Sequence, residues 1–470
     1  MSGDILRYLV WIAASAVVLT GTSASGMSMR EAVGIAVDSN PEIGQAIANR
    51  EAIEFELWQG RGQYLPRIDL EGRAGGVLRD NRTTRIEGDD DEFGPEGEAS
   101  LVVRQLLFDG FGVDAEVERQ ASRVDGASYR VFERSEFIAL AVIREYLDIM
   151  RLRRIVSITR QDVDYHQGLL GRVGQGVGAG ALSTADRQQA EEKLFAARTR
   201  VTEATEDLKA ADARFIRLVG QHVGDVSHPT AIGGMLPQSL SHAVGTARQN
   251  NPTVKLAQAD LDAAYALVKA ADSRFFPQLS LEGRARHGEN ISGIAGSDTE
   301  LRAGVVLNWN LYNGGIDRAN RQEQIRRVDE EAMRLNGVSR EVEEAVRLSW
   351  DRRQQQAERL AILRQQVGSS QQLVGSYSDQ FTIGERSLLD LLSAQNAYTS
   401  SRIAMETAAV AVAFAEYRIL AATGTLLASL GMEAPPQAAA YAREQAKVPP
   451  TPPAPTMWRE SPPSGLGPLY

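Results

Sequence analysis

The sequence contains no cysteine in 470 residues. It can therefore form no disulfide framework, no thiolate metal site and no lipid-modified cysteine at a mature N-terminus. Aromatic residues are also sparse, at 6%, whereas hydrophobic residues reach 43%, an ordinary value for a chain that buries apolar surface. The length is sufficient for two or three domains or for one elongated architecture.

Positive charge is in deficit. The chain has 51 Lys and Arg residues against 61 Asp and Glu residues, which gives a formal net charge of −10. This balance argues against nucleic acid as the main partner. The five histidines show no metal-ligand spacing, and neither HExxH nor GxSxG occurs. The sequence therefore predicts no catalytic site, no metal site and no cofactor.

Long apolar runs are confined to the N-terminus. Arg7 precedes an apolar run of 13 residues, YLVWIAASAVVLT (8–20), and small residues follow with a plausible cleavage point after Ala24. The pattern predicts an export signal peptide at 1–24. The alternative is a membrane anchor, but the run is too short to cross a bilayer of about 30 Å as a helix.

Two halves of the chain repeat each other. EAVGIAVDSNPEI (31–43) matches HAVGTARQNNPTV (242–254), and YLPRIDLEGR (64–73) matches FFPQLSLEGR (275–284). The period of about 200 residues is too long for a solenoid, so it indicates tandem duplication of a whole structural unit. We predict a first repeat at 25–232, a second at 233–433 and a Pro-rich tail at 434–470. The tail holds ten of the seventeen prolines and is expected to be disordered or polyproline-like.

Each repeat shows one order of predicted elements. A helix broken at an Asn-Pro pair is followed by a Pro-led pair of strands, a very long helix, a Gly-containing turn and another helix. We expect the very long helices at roughly 112–168 and 315–373, and the final helices at 184–218 and 388–422. The Gly-rich segment GRVGQGVGAG (171–180) lacks the Lys-Ser/Thr ending of a phosphate loop and is predicted to be a turn between helices.

The strand segments alternate apolar and polar residues. In ELRAGVVLNWNLY, Leu301, Val305 and Leu307 share one face, whereas Glu300 and Arg302 share the other. Such alternation is compatible with a half-buried sheet on a soluble core. A membrane β-barrel is favoured because the segments have the length of tilted membrane strands and long acidic loops separate them. Four strands cannot close a barrel, so several chains would each have to contribute four.

The pattern resembles the TolC family of outer-membrane efflux proteins over about 25–430. The motifs NPEI/NPTV, YLP/FFP, LLFDG/LYNGG and FTIGERSLLDLLSAQNAY carry the resemblance, and QLLFDGF, WNLYNGG and RSLLDLLSAQN are most similar to the branch that serves type I protein secretion. The resemblance implies a mainly α fold with a trimeric 12-stranded outer-membrane barrel, continued by a long periplasmic α-helical barrel. It also implies a homotrimer in outer-membrane lipid, which meets a periplasmic adaptor protein and an inner-membrane pump, of ABC type or another.

The resemblance further assigns residues to the inner tip of the helical tube. Asp390 matches a pore-constricting acid, and Asp186 with Arg386 matches a salt bridge that latches the tip closed. Gly178, Gly180 and Gly384 match the hairpin tips where the adaptor docks. Two family features are missing, since Ser393 replaces a second acid and Phe381 replaces a tyrosine of the latch.

The residues themselves also support a simpler interpretation of the two tip motifs. STAD (183–186) and SLLD (387–390) both fit a helix-capping box, with a serine at the N-cap and an acid three residues later.

We therefore expect an exit duct in the outer membrane with a large periplasmic part, and the resemblance implies that it serves type I protein secretion. One alternative is the outer-membrane component of a drug or metal efflux pump. A soluble periplasmic coiled-coil scaffold is a further alternative, and an enzyme is disfavoured because no site residues are found.

Overall fold

A computed structural model describes residues 26–78, 80, 82–88, 93–227, 232–291 and 296–450. The predicted signal peptide at 1–24 lies outside the described residues. Each half of the chain contains two shorter helices, two strands and two long helices. In the first half these are α1 (Met29–Ser39), α2 (Pro41–Gly62), β1 (Arg67–Leu78), a short α3 (Arg82–Glu87), β2 (Phe93–Phe108), α4 (Gly112–Gly178) and α5 (Thr184–Val219). In the second half they are α6 (Leu240–Asn250), α7 (Pro252–Ser273), β3 (Gln278–Glu289), β4 (Ser297–Asn308), α8 (Ile316–Thr382) and α9 (Leu388–Ala422), followed by the short helices α10 (Leu426–Ser429) and α11 (Ala442–Gln445).

The duplicated Asn-Pro pairs have the same role in both halves. The side chain of Asn40 accepts a hydrogen bond from the Glu42 amide at 2.9 Å and so caps α2, while Pro41 occupies the first turn. The side-chain nitrogen Nδ2 of Asn40 donates a hydrogen bond to the carbonyl of Leu218, near the end of α5, at 3.0 Å. Asn251 repeats both contacts, with the Thr253 amide and with the Ala422 carbonyl at the end of α9. Each pair therefore joins the start of its repeat to the end of that repeat's last long helix.

Helices α4 and α8 are each 67 residues long, which corresponds to a rod of about 100 Å at about 1.5 Å per residue. Both run about ten residues further than the sequence predicted. The prediction of a turn at 171–180 is therefore wrong for 171–178, because helix α4 continues to Gly178 and the turn begins at residue 179. Val173 is fully buried beside Leu388 and Leu391 of α9, so packing of this apolar face outweighs the low helix propensity of the glycines.

The four strands form one antiparallel sheet in the order β1-β2-β3-β4. β1, β3 and β4 have 12 residues each, about the length of tilted membrane strands, whereas β2 has 16 and begins at Phe93. The register places residues of one kind opposite one another. Leu70 faces Leu101, Leu101 faces Ala285, and Ala285 faces Leu301. One face of the sheet is therefore apolar across all four strands.

The other face of the sheet carries the charges. Arg104 pairs with Glu282 at 2.7 Å, and Arg286 pairs with Asp298 at 3.0 Å. These pairs cross from strand to strand on the side opposite Leu301, which itself is 84% exposed. The predicted alternation of an apolar face with a charged face is thus present across the whole sheet.

The predicted tail is not disordered from Ala434 onward. Within 434–450 the chain forms a 3-10 turn at Pro436–Ala438 and then helix α11, so the prediction is wrong for these residues. Residues 451–470 lie outside the described part of the chain. Two buried carboxylates provide the physical reason for order, because Arg443 reaches Asp125 of α4 at 2.9 Å and Asp262 of α7 at 2.5 Å.

Further contacts hold the same segment. The Asp125 carboxylate also accepts hydrogen bonds from the backbone amides of Ala442 and Arg443. The hydroxyl of Tyr441 donates to Glu54 at 2.7 Å and accepts from Arg50 at 2.9 Å. We call residues 441–445 the C-terminal clasp, since they connect α2 and α4 of the first repeat with α7 of the second.

We predict that Arg443→Ala destabilises the protein, because it leaves Asp125 and Asp262 buried without a cation. Removing one partner of a buried pair costs about 3–5 kcal/mol. The measurement is the thermal midpoint of the detergent-purified protein. Truncation after residue 450 keeps every described contact of the clasp and should leave the midpoint unchanged, whereas truncation after residue 433 should lower it as Arg443→Ala does. Equal midpoints for the two truncations would show that the clasp contributes nothing.

Candidate gate at the hairpin tips

The long helices form two hairpins that lie side by side. Helix α4 contacts α5 and α9, and α9 in turn contacts α8, so the spatial order is α5-α4-α9-α8. The turn of the first hairpin, 179–183, and that of the second, 383–387, are at the same end. A shared apolar cluster shows this, because Leu169 and Val173 of α4 pack with Leu388, Leu391 and Leu392 of α9.

The tip glycines have different structural requirements. Gly180 and Gly384 have φ of 74° and 81°, in the left-handed region that residues with a Cβ rarely adopt. Gly178 is the last residue of α4 and has no positive φ. A Cβ at any of the three would meet no other atom within 4 Å, so these positions are open on the surface of the single chain.

The first tip motif forms a complete capping box. The hydroxyl of Ser183 accepts a hydrogen bond from the Asp186 amide at 3.1 Å, and the Asp186 carboxylate accepts from the Ser183 amide at 2.9 Å. The Ser183 hydroxyl also donates to this carboxylate at 2.7 Å and is the main reason why the pKa of Asp186 is lowered. The capping interpretation of STAD is confirmed.

The second tip motif forms only part of the box. The Asp390 amide donates to the Ser387 hydroxyl at 3.1 Å, and that hydroxyl donates to the Asp390 carboxylate at 2.8 Å. The carboxylate is 48% exposed. Asp390 therefore supports the start of α9 and still presents its charge to solvent at the tip.

Arg386 has partners within its own hairpin. Its guanidinium stacks on the ring of Tyr377 at 4.4 Å, donates to the side chain of Gln380 at 3.0 Å and lies 3.9 Å from the Asp390 carboxylate. No ion pair joins Arg386 to Asp186 within the single chain. The latch between these two residues accordingly remains a prediction about the assembled protein.

The structure also places the two residues that depart from the family pattern, Phe381 and Ser393. Phe381 packs on the apolar cluster at the tip, and Ser393 is exposed on α9. Tyr377 provides an aromatic contact for Arg386 from the preceding helical turn. Sequence reasoning missed Tyr377, although its spacing of four residues from Phe381 places it on the same helix face.

A buried polar cluster further along the hairpins was also missed. The carboxylate of Asp162 on α4 accepts hydrogen bonds from Gln395 at 2.9 Å and Thr399 at 2.8 Å, both on α9. Arg200 of α5 lies 3.4 Å away, and His166 lies 3.7 Å away. Burial lowers the pKa of His166, which keeps the imidazole neutral. Asp162 thus connects three of the four long helices, and its position on the buried stripe of α4 was the available signal.

The described residues contain no group of three or more His, Cys, Asp or Glu side chains arranged to hold a metal ion. In the same part of the chain, no helix is both long and apolar enough to cross a membrane.

Comparisons with known proteins agree with this architecture. The chain is similar to the outer membrane efflux protein BepC of Brucella suis, with 25% identity over 89% of this chain and 90% of that protein. It is also similar to the alkaline protease secretion protein AprF of Pseudomonas aeruginosa, with 21% identity over 84% of each chain. Among solved structures, the Campylobacter jejuni CmeC outer membrane channel matches with a TM-score of 0.75, 14% identity and coverage of 85% of this chain and 86% of that chain.

The family profile described as outer membrane efflux protein matches residues 32–221 and 243–425, one segment in each predicted repeat. These two segments comprise most of the chain and include both hairpins and all four strands. The protein therefore belongs to the outer membrane efflux protein family, and it is a channel component of the outer membrane with a large periplasmic helical part rather than an enzyme.

Proposed function

We propose that three copies of this chain form the exit duct of a type I protein secretion system. The duct passes through the outer membrane as a β-barrel and continues into the periplasm as a helical tube. It opens at its inner tip when it docks to a periplasmic adaptor and an ABC-type inner-membrane pump. The observation that carries the channel part of this proposal is the sheet, which has two open edges, one apolar face and one charged face.

The sheet cannot be stable in lipid as a single copy. The outer edges of β1 and β4 have no partner strand among the described residues, and unpaired backbone groups are too costly in a bilayer. Four strands are also fewer than the about eight that a small barrel needs. Three copies supply twelve strands, with the apolar face toward lipid and the charged face toward a water-filled lumen.

The same sheet disfavours a soluble scaffold. On the apolar face Leu70 is 78% exposed and Leu301 is 84% exposed, with no covering layer among the described residues. A soluble half-buried sheet packs this face against a core. Lipid is therefore the environment that best fits these side chains.

We predict that the mature protein purified in detergent is a trimer, because only neighbouring chains can pair the edges of β1 and β4. Light scattering with correction for bound detergent measures the protein mass. A stable folded monomer would contradict the barrel.

A neighbouring pair of substitutions tests the two faces of the sheet. Leu301→Arg places a charge on the face assigned to lipid, where it costs about 2–4 kcal/mol near the bilayer centre, and should reduce insertion into the outer membrane. Arg302→Gln, on the opposite face, should leave insertion intact. Equal insertion of the two variants would show that the faces are assigned incorrectly.

The tips supply the proposed gate. In a threefold assembly, Asp390 is repeated about the axis, and close carboxylates in a narrow passage favour a bound cation. Asp186 and Arg386 are proposed to form a latch between adjacent hairpins in the closed state, in place of the contacts that they make within one chain. Gly178, Gly180 and Gly384 lie in or next to the two turns, where an adaptor can reach the backbone.

We predict that Asp390→Asn weakens cation selectivity and block by trivalent cations in planar bilayers. The amide can still accept the hydrogen bond from Ser387, so the substitution removes the charge and retains the cap. Ser387→Ala is the matched control, because it removes the cap, at about 1 kcal/mol, and keeps the charge. Arg386→Ser should raise the open probability in the same recordings. If Asp390→Asn behaves like the wild-type protein, these residues act only as helix caps.

The transported substrate is the finer part of the proposal. Similarity to a protein named for alkaline protease secretion and the RSLLDLLSAQN segment support a protein substrate. Similarity to an outer membrane efflux protein supports the alternative, a small-molecule pump.

A deletion strain distinguishes the two substrate classes. We predict that loss of the gene removes specific proteins from the culture medium and that the wild-type gene restores them, as measured by quantitative mass spectrometry of the medium. Minimal inhibitory concentrations of drugs and metal ions should change by no more than twofold. An unchanged set of secreted proteins, together with increased drug or metal sensitivity, would favour the small-molecule alternative.

A further inference from the structure

The wall formed by the four long helices has one covered surface and one bare surface. On the covered surface, Tyr146 of α4 donates a hydrogen bond from its hydroxyl to the carbonyl of Met27, which precedes α1, and lies 3.0 Å from the carbonyl of Ser227. Helix α6 covers the same surface in the second repeat, where Arg248 pairs with Glu343 of α8 at 2.6 Å. Among the described residues, the shorter helices α1 and α6 thus form a second layer on one side of the wall.

Three arginines lie on the bare surface. Arg352 and Arg359 are about 180° and 160° round α8 from Glu343, at about 100° per residue. Together with Arg418 of α9 they line a groove of about 400 Å³ between the two helices. The opposite surface of α9 borders a different groove. Ala413 lines that groove together with Asp225, which lies in the segment after α5.

These three arginines lack an ion-pair partner among the described residues. In the part of the chain that the structure describes, Arg352, Arg359 and Arg418 form no ion pair and no hydrogen bond to another side chain. The neighbouring Arg353, by contrast, pairs with Glu416 at 3.1 Å. Burial lowers the pKa of Arg418, and the charge of Arg352 lowers it further, as expected when two guanidinium groups are held close together.

The bare surface continues onto the first hairpin with the same sign of charge. A second groove shares Thr407, Ala411 and Phe414 with the first and reaches α4 and α5. Arg144, Arg151 and Arg214 line it, and Arg151 also borders the groove beside Asp225. In the described part of the chain these three arginines pair with two carboxylates, those of Glu145 and Asp148. The basic zone ends nearer the tips, where exposed Glu203 and Asp207 lie on the same side of α5 as Arg214.

We propose that Arg352, Arg359 and Arg418 face the lumen of the assembled tube and form, in three copies, a basic belt that binds anionic groups of the passing substrate. This inference depends on the proposed function. A layer of short helices inside a duct would obstruct it, so the covered surface belongs on the outside of the tube and the bare surface faces the lumen. The ligand chemistry is that of multivalent oxyanions, such as neighbouring carboxylates on an acidic polypeptide. Arginine suits both carboxylate and phosphate oxygens through its paired N–H donors.

The belt and the tip would then differ in polarity. The Asp390 carboxylates attract cations at the entrance, whereas the belt, at the middle of the helical tube, attracts anions. The chain has a formal net charge of −10, so the local excess of arginines without ion pairs does not follow from its overall composition.

Planar bilayer recordings of the purified full-length assembly test the belt. The probe is inorganic tripolyphosphate added to the periplasmic side, together with the reversal potential in a KCl gradient. The variant Arg359→Gln removes one positive charge per chain from the bare surface. Its matched control is Arg160→Gln on α4, which removes an exposed arginine within about 40° of the covered side marked by Tyr146.

We expect Arg359→Gln to raise the half-blocking concentration of tripolyphosphate about threefold, and the triple variant with Arg352→Gln and Arg418→Gln about tenfold or more. Both should shift the reversal potential toward cation selectivity, and Arg160→Gln should do neither. Equal block in Arg359→Gln and Arg160→Gln would overturn the belt.

Two other outcomes separate the belt from competing explanations. If the arginine variants dissociate into monomers in detergent while Arg160→Gln stays assembled, the arginines contact carboxylates of the neighbouring chain, and the belt is wrong. If the wild-type protein forms no channel, the proposed function fails and the belt fails with it. A wild-type channel with unchanged block in the triple variant would reject only the belt.

Discussion

The outer edges of strands β1 and β4 present backbone N–H and C=O groups that the chain itself does not pair. In water these groups would be hydrated, but in a bilayer they must bond to protein. The chain cannot satisfy them by curling its own sheet, because four strands are too few. Assembly is therefore a condition for the sheet to exist in its membrane environment. Assembly of several chains also fits two other features. The sheet has one apolar and one charged face, and the hairpin pair is open on its α5 and α8 sides.

The helical part is organised by the duplicated Asn-Pro pairs. Each asparagine caps one helix with its side-chain oxygen and bonds the end of another with its nitrogen, so a short motif connects the two ends of a repeat. Asn40 is only 6% exposed and Asn251 only 7%, which explains why both polar atoms must be satisfied. Loss of either residue would leave buried backbone groups without partners at the start and end of the same repeat.

Much of this fold could be predicted from the sequence because local and tertiary signals agree there. Period-two alternation located the strands, and proline located the start of each helix after Asn40 and Asn251. The predictions failed where tertiary contacts override local propensity. The glycines at 171–178 remain helical because Val173 and its neighbours pack on α9, and the tail is ordered because Arg443 finds two buried carboxylates. Pairings such as Asp162 with Gln395 join residues far apart in the chain, so no local pattern could have revealed them.

The C-terminal clasp also affects the order in which the protein can fold. Because a chain is synthesised from its N-terminus, Asp125 and Asp262 are made before Arg443, which follows them by 318 and 181 residues. Without Arg443, burial of these two carboxylates at the junction between α4 and α7 is costly, because neither would have the cation that compensates its charge. The ion pairs of Arg443 with both repeats can consequently form only after nearly all of the described residues are available to fold. A chain that ends before Arg443 would leave Asp125 and Asp262 without this cation, so its two repeats would be joined less stably than those of a chain that contains the clasp.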